Sequence, residues 1–98
     1  MGLPYDLIIM KKSETVYVEV KSTISASKNW FPISKNEWQC AIEKEDSFII
    51  VRVILCGQTN VKIGILKNPV KLCQQNVLQL SLIQSPNSVN LTEVPLRD

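Results

Sequence analysis

The sequence predicts an α+β domain in which one mixed sheet carries a helix, and three stretches carry that prediction. Thr15-Val16-Tyr17-Val18-Glu19-Val20-Lys21-Ser22-Thr23 alternates strictly, Ser34-Lys35-Asn36-Glu37 has the form of a capping box, and Ser47 to Cys56 is β-branched and nearly continuous in hydrophobicity.

In the first stretch the alternation puts Val16, Val18 and Val20 on one face of a strand and Glu19 and Lys21 on the other. Upstream, Tyr5 to Met10 reads as a second short strand, and the polar Lys11-Lys12-Ser13-Glu14 between them closes a hairpin. That loop sets Met10 against Thr15. Counting back along both strands from this pair brings Asp6 opposite Glu19 on the same face, with Cβ atoms roughly 5 Å apart.

Ile24 to Asn29 is a polar loop, and Trp30-Phe31-Pro32-Ile33 reads as a short third strand whose proline suits an edge. The capping box then starts a helix at about Lys35, with Trp38, Ala41 and Ile42 as its buried stripe and Asn36, Gln39, Glu43 and Lys44 outside. Phe31 or Ile33 supplies the staple ahead of the cap. Ser47 to Cys56 is the central strand, expected to be buried on both faces, and Gly57 to Asn60 turns the chain into the alternating strand Val61 to Leu66. Asn68-Pro69 opens a helical turn through about Cys73. After Leu82 the composition shifts to Ser, Asn, Pro and Thr, so the domain is expected over residues 1–82 and a weakly ordered tail over 83–98. The expected order is β-β-β-α-β-β with a late helical turn.

At 98 residues the chain is one domain, and no apolar run approaches the roughly 20 residues of a membrane-spanning helix. No secretory signal is evident, which predicts residence inside the cell, nuclear or cytoplasmic, and leaves the sequon Asn90-Leu91-Thr92 unused. The net charge of +2 permits a nucleic-acid partner without requiring one, although Lys11, Lys12, Lys21, Lys28 and Lys35 gather in the first part of the chain. Three cysteines without any histidine exclude zinc sites of the usual spacing and nucleophiles activated by histidine, leaving buried structural thiols as the expectation. The three glycines form no phosphate-cradling loop.

Like charges facing each other across a sheet destabilise it, so Asp6 opposite Glu19 calls for compensation such as a bound Mg²⁺ or Mn²⁺. A lysine beside them suits metal-assisted phosphodiester hydrolysis. The same pattern also fits an exposed hairpin with solvated Glu and Lys, and the residues alone leave both open. Arg52, interrupting the apolar run, either braces an acidic site or projects at a sheet edge.

Tyr5-Asp6-Leu7, Tyr17 to Thr23, Trp30 to Trp38, Ser47-Phe48 and Lys67-Asn68-Pro69-Val70-Lys71-Leu72-Cys73 together resemble the C-terminal domain family of the plant NO VEIN proteins, over roughly Gly2 to Leu82. That family is related to the PD-(D/E)xK nuclease-like fold. The resemblance implies Asp6 and Glu19 as ligands of Mg or Mn, Val20 as the donor of a backbone carbonyl, and Lys21 as the group that positions the nucleophile or stabilises charge. It also suggests Gln39 as a supporting or substrate contact.

In the nuclease-like fold a helix precedes the first strand, whereas here Asp6 lies close to Met1, so the core is expected to be truncated and an apolar sheet face uncovered. That face implies a homo-oligomer or a protein partner. The first expectation is therefore a non-catalytic or degraded nuclease-fold module that binds protein, DNA or RNA, and the alternative is a metal-dependent phosphodiesterase using Asp6, Glu19 and Lys21.

Overall fold

A computed structural model describes residues 2–25, 27–57, 59–81 and 95–96. The chain runs β1 (Leu7–Met10), β2 (Thr15–Thr23), α1 (Lys35–Lys44), a 3₁₀ turn (Glu45–Ser47), β3 (Phe48–Leu55), β4 (Val61–Lys67) and α2 (Pro69–Gln74). The strands form one sheet in the order β1-β2-β3-β4. β1 and β4 run antiparallel to their neighbours while β2 and β3 are parallel, so the sheet is mixed, as expected. A parallel pair needs a crossover connection, and the segment carrying α1 provides it.

The hairpin register is the predicted one: Met10 pairs with Thr15 and Leu7 with Val18. Lys11 N–H donates to the Glu14 carbonyl at 2.9 Å and closes the loop. The third strand expected at Trp30–Ile33 is absent from the sheet. Pro32 has no N–H to give to a ladder, and the segment instead packs Phe31 and Ile33 against the core just before the helix cap.

Because paired residues share a face, the register sorts the sheet into two sides. Tyr17, Phe48, Ile50 and Leu66 lie on the helix side, where Phe48 and Ile50 are buried with Cys40 and Ala41 of α1, and Val70 of α2 packs against them. The Ser34 capping box forms as predicted: the serine oxygen accepts from the Glu37 N–H, and the Glu37 carboxylate accepts from the Ser34 N–H. Of the stripe expected on α1, Ala41 is fully buried and Trp38 packs against the core, whereas Ile42 does not. Ile42 is 44% exposed and Cys40 is buried in its place, because beside Trp38 the inward face takes in Glu37, Cys40, Ala41 and Lys44 at the i, i+3, i+4, i+7 spacing. Lys44 lies over the Tyr17 ring at 4.8 Å. At α2, Asn68 caps by accepting from the Lys71 N–H, with Pro69 buried at the first turn as expected.

The opposite side of the sheet carries Leu7, Ile9, Val20, Ile63 and Ile65, with Val18 shielded among its neighbours at 4% exposed. Among the described residues no helix lies on it, and Ile63 and Ile65 are 67% and 66% exposed. β3 is therefore buried on one face and half-buried on the other, not buried on both as its composition suggested. All three cysteines are free, Cys40 buried and the other two half-buried. No described helix is long and apolar enough to cross a membrane. The expected tail and the Asn90 sequon fall almost entirely outside the described residues.

Candidate functional site

Strand β2 delivers Glu19 and Lys21 to the helix-covered side of the sheet, where alternation puts them two residues apart. Glu19 is 6% exposed, a carboxylate taken out of water. Helix α1 brings a second acid down onto them, since the stripe that buries Cys40 and Ala41 begins at Glu37. The Lys21 ammonium donates to Glu37 Oε1 at 2.8 Å and stands 3.5 Å from Glu19 Oε1. Glu37 Oε1 also accepts from the Ser34 N–H at 2.8 Å, so one oxygen serves both the helix cap and the lysine.

Asp6 reaches the same neighbourhood by another route. The ladder ends at Leu7 and Val18, and the Asp6 N–H also donates to the Val18 carbonyl, at 2.8 Å. The Asp6 carboxylate turns to the β2 backbone and accepts from the Val20 N–H at 2.6 Å. The face-to-face pairing of Asp6 with Glu19 that the register count gives is thus replaced by a carboxylate standing in for a main-chain carbonyl at the ladder's end.

Burial raises the Glu19 carboxyl from 4.5 to about 7, and a hydrogen bond shared with the Glu37 carboxylate, its charge and that of Asp6 push the same way against the pull of Lys21. Glu37 goes in the other direction. Burial pushes it up, yet the hydrogen bonds from Lys21 and the Ser34 backbone hold it below the usual carboxylate value. Glu19 is pushed up and Glu37 held down, in the manner of paired carboxylates whose ionisations are driven apart.

Arg52 takes the second form of partner open to it, backbone oxygens. Its guanidinium donates to the carbonyl of Lys21 at 3.2 Å and to that of Lys28 at 3.1 Å, and lies 4.9 Å from the Phe31 ring centre. Among the described residues it touches no carboxylate, but it pins the backbone of Lys21. Gln39 sits on the exposed side of α1 with its amide 3.4 Å from Glu43, away from the Lys21 bonds. Glu37 is the site residue that the sequence did not offer as such, because its capping role accounted for it fully. The signal was present in the helical spacing from Glu37 to Cys40, Ala41 and Lys44.

Among the described residues no group of three or more Asp, Glu, His or Cys side chains is arranged as a metal cage. Asp6 and Glu19 are of the ligand class that a magnesium-type ion takes, one or two carboxylates with much of its water kept, though here the Asp6 carboxylate is turned to the Val20 N–H. Two of the acids, Glu19 and Glu37, stand at the Lys21 ammonium, while Asp6 is tied to the Val20 N–H.

A mixed sheet covered on one side by helices, with an acid at the ladder's end and Glu-x-Lys on the adjoining strand, defines an α+β domain with a buried acid–lysine centre. The chain belongs to the family described as Protein NO VEIN, C-terminal, which matches residues 1–66. It is 46% identical over 94 residues to Protein NO VEIN of Arabidopsis thaliana, covering 95% of this chain and 3% of that protein. It is 44% identical over 94 residues to Protein NO VEIN-LIKE of the same plant, again over 95% of this chain and 14% of the relative. The chain thus spans a small part of either relative's length. No solved structure matches it.

Proposed function

We propose that this domain is a metal-dependent phosphodiesterase acting on DNA or RNA, with Asp6 and Glu19 holding Mg²⁺ or Mn²⁺ alongside the Val20 carbonyl and Lys21 stabilising charge. The observation that carries this reading is the buried Glu19 carboxylate, 6% exposed and pushed up by burial, standing 3.5 Å from the Lys21 ammonium that a second acid, Glu37, holds at 2.8 Å. Perturbed carboxylates of this kind concentrate at functional sites, and that ranks catalysis ahead of the non-catalytic module favoured by the sequence. Held by Asp6 and Glu19, a divalent ion would supply Lewis-acid polarisation of a phosphate oxygen and of water. Lys21 supplies a fixed positive charge for the phosphate oxygens, Arg52 steadies the strand under it, and burial by α1 strengthens its electrostatic effect.

The test is cleavage of single- and double-stranded DNA and RNA with Mg²⁺ or Mn²⁺, comparing wild type with Lys21→Ala, beside calorimetric titration of Mn²⁺ into wild type and Glu19→Ala. Activity lost in Lys21→Ala and heat lost in Glu19→Ala support the reading. Flat, identical titrations together with no cleavage overturn it.

A second reading, the non-catalytic module, draws on different observations: Asp6, Lys21 and Glu37 already have partners within the chain, and the apolar sheet face is open. On that reading the domain associates with a second copy of itself through β1, β2, β3 and β4, and sedimentation tests it.

A further inference from the structure

We infer that Glu37 is the positioning residue for Lys21, holding its ammonium from the helix side so that the lysine stays in place when Glu19 is engaged elsewhere. This deepens the phosphodiesterase reading and rests on it for its catalytic meaning, though the positioning itself is a property of the chain alone.

Lys21 has two acidic neighbours, and they are not equivalent. The bond to Glu37 is a short charge-assisted hydrogen bond at 2.8 Å, whereas Glu19 stands at 3.5 Å, outside the usual range for such a bond. Glu37 is itself fixed. Its carboxylate accepts from the Ser34 N–H, and its backbone N–H donates to the Ser34 hydroxyl, so both ends of the residue are tied to the start of α1. The helix is anchored in turn by Cys40 and Ala41 against Phe48 and Ile50. From the strand side, Arg52 holds the Lys21 carbonyl. The lysine is therefore clamped at its backbone by β3 and at its tip by α1, leaving only its methylenes to move.

The clamp separates two tasks. A carboxylate that must serve a cation cannot also be the sole anchor of the neighbouring ammonium, because drawing its charge away releases the lysine. With Glu37 as the anchor, Glu19 can change its proton or ligand while the Lys21 ammonium keeps its partner. The capping box also supplies a clean probe. Glutamine serves at the third helical position of such a box as glutamate does, so Glu37→Gln keeps the Ser34 bond and removes the charge that holds Lys21.

The test is pulsed acylation of lysine amines in the metal-free protein, read by peptide mass spectrometry with the exposed Lys11 and Lys12 as internal references. Loss of a charge-assisted bond predicts that Glu37→Gln raises Lys21 labelling roughly tenfold relative to the references, while Glu19→Gln changes it less than about twofold. Unchanged labelling in Glu37→Gln, or a larger rise in Glu19→Gln than in Glu37→Gln, overturns the inference. Because no metal is present, this outcome is independent of whether Mn²⁺ binds or substrate is cleaved. Where cleavage is measured, Glu37→Gln lowers kcat with KM little changed, the split expected for a displaced lysine and not for a loosened fold.

Discussion

Lys21 and Glu37, sixteen residues apart in sequence, meet at 2.8 Å and join the central part of the sheet to the first turn of its covering helix. The same carboxylate closes the Ser34 capping box, so local helix formation and tertiary ion pairing draw on a single oxygen. The cap of α1 and the state of the acid–lysine centre are therefore coupled, and the consequences can be measured.

Stability falls as pH rises from the acid side towards neutrality. Glu19 goes from 4.5 in the open chain to about 7 in the fold, so its native form binds the proton more tightly. Its contribution is complete below about 4.5 and is lost as pH climbs through 7. The change amounts to a few kcal/mol, since each tenfold gain in proton affinity on folding is worth about 1.4 kcal/mol. Glu37, held below its ordinary value, contributes in the opposite sense, its share being lost as pH falls beneath 4.5. Urea unfolding across pH should show a maximum on the mildly acidic side, and Glu19→Gln should flatten the neutral limb.

Removal of Lys21 leaves two buried carboxylates facing each other with no cation. Lys21→Ala is expected to destabilise the domain by about 3 kcal/mol at pH 8, the range for breaking a buried pair from one side, and by less at pH 5 where Glu19 is protonated. Thermal unfolding at the two pH values checks both the size and its pH dependence.

Arg52→Lys should behave as a loss and not as a conservative exchange. One guanidinium spans the carbonyls of Lys21 and Lys28 while lying against Phe31, and a single ammonium cannot reproduce that fork. A destabilisation of about 1–3 kcal/mol is expected, with amide exchange speeding up near Lys28 as well as near Lys21.

The open sheet face predicts self-association. Contiguous apolar surface of this kind marks interaction sites, and Ile63 and Ile65 stand at its outer strand with two thirds of each side chain in water. Sedimentation of the wild type should give a mass that rises with concentration, while Ile65→Lys should remain monomeric with an unchanged unfolding midpoint. A wild-type mass that is independent of concentration counts against association through this face.

Much of the frame was legible because it depends on short-range rules. The Lys11–Glu14 loop and strict alternation determine the β1–β2 register, and Ser34 with Glu37 marks the start of α1. Three features were not legible, each because a tertiary alternative competes with a local pattern. Asp6 could continue the ladder or bond the Val20 amide, and side-chain capture of a backbone N–H leaves no periodic trace. Ile42 outweighs Cys40 in hydrophobicity, yet Cys40 is the one buried beside Ala41 and Trp38, and that phase brings Glu37 inward. The uniform apolarity of β3 suggests cover on both sides, and periodicity cannot tell a covered face from an open one. At the candidate site, Glu19 and Lys21 follow from alternation, whereas the partner that holds Lys21 follows only from the helix phase.

The bond between Asp6 and the Val20 amide gives the site an unusual reporter. The Val20 amide rests on one oxygen of that carboxylate, Oδ2, and a ligand that takes this oxygen leaves the amide bare. An occupant that draws Oδ2 away therefore unfastens the end of the β1–β2 hairpin by one step, whereas one bound through Oδ1 alone does not. Hydrogen exchange at the single N–H of Val20 would register that event directly, faster when Asp6 is taken and slower when it returns.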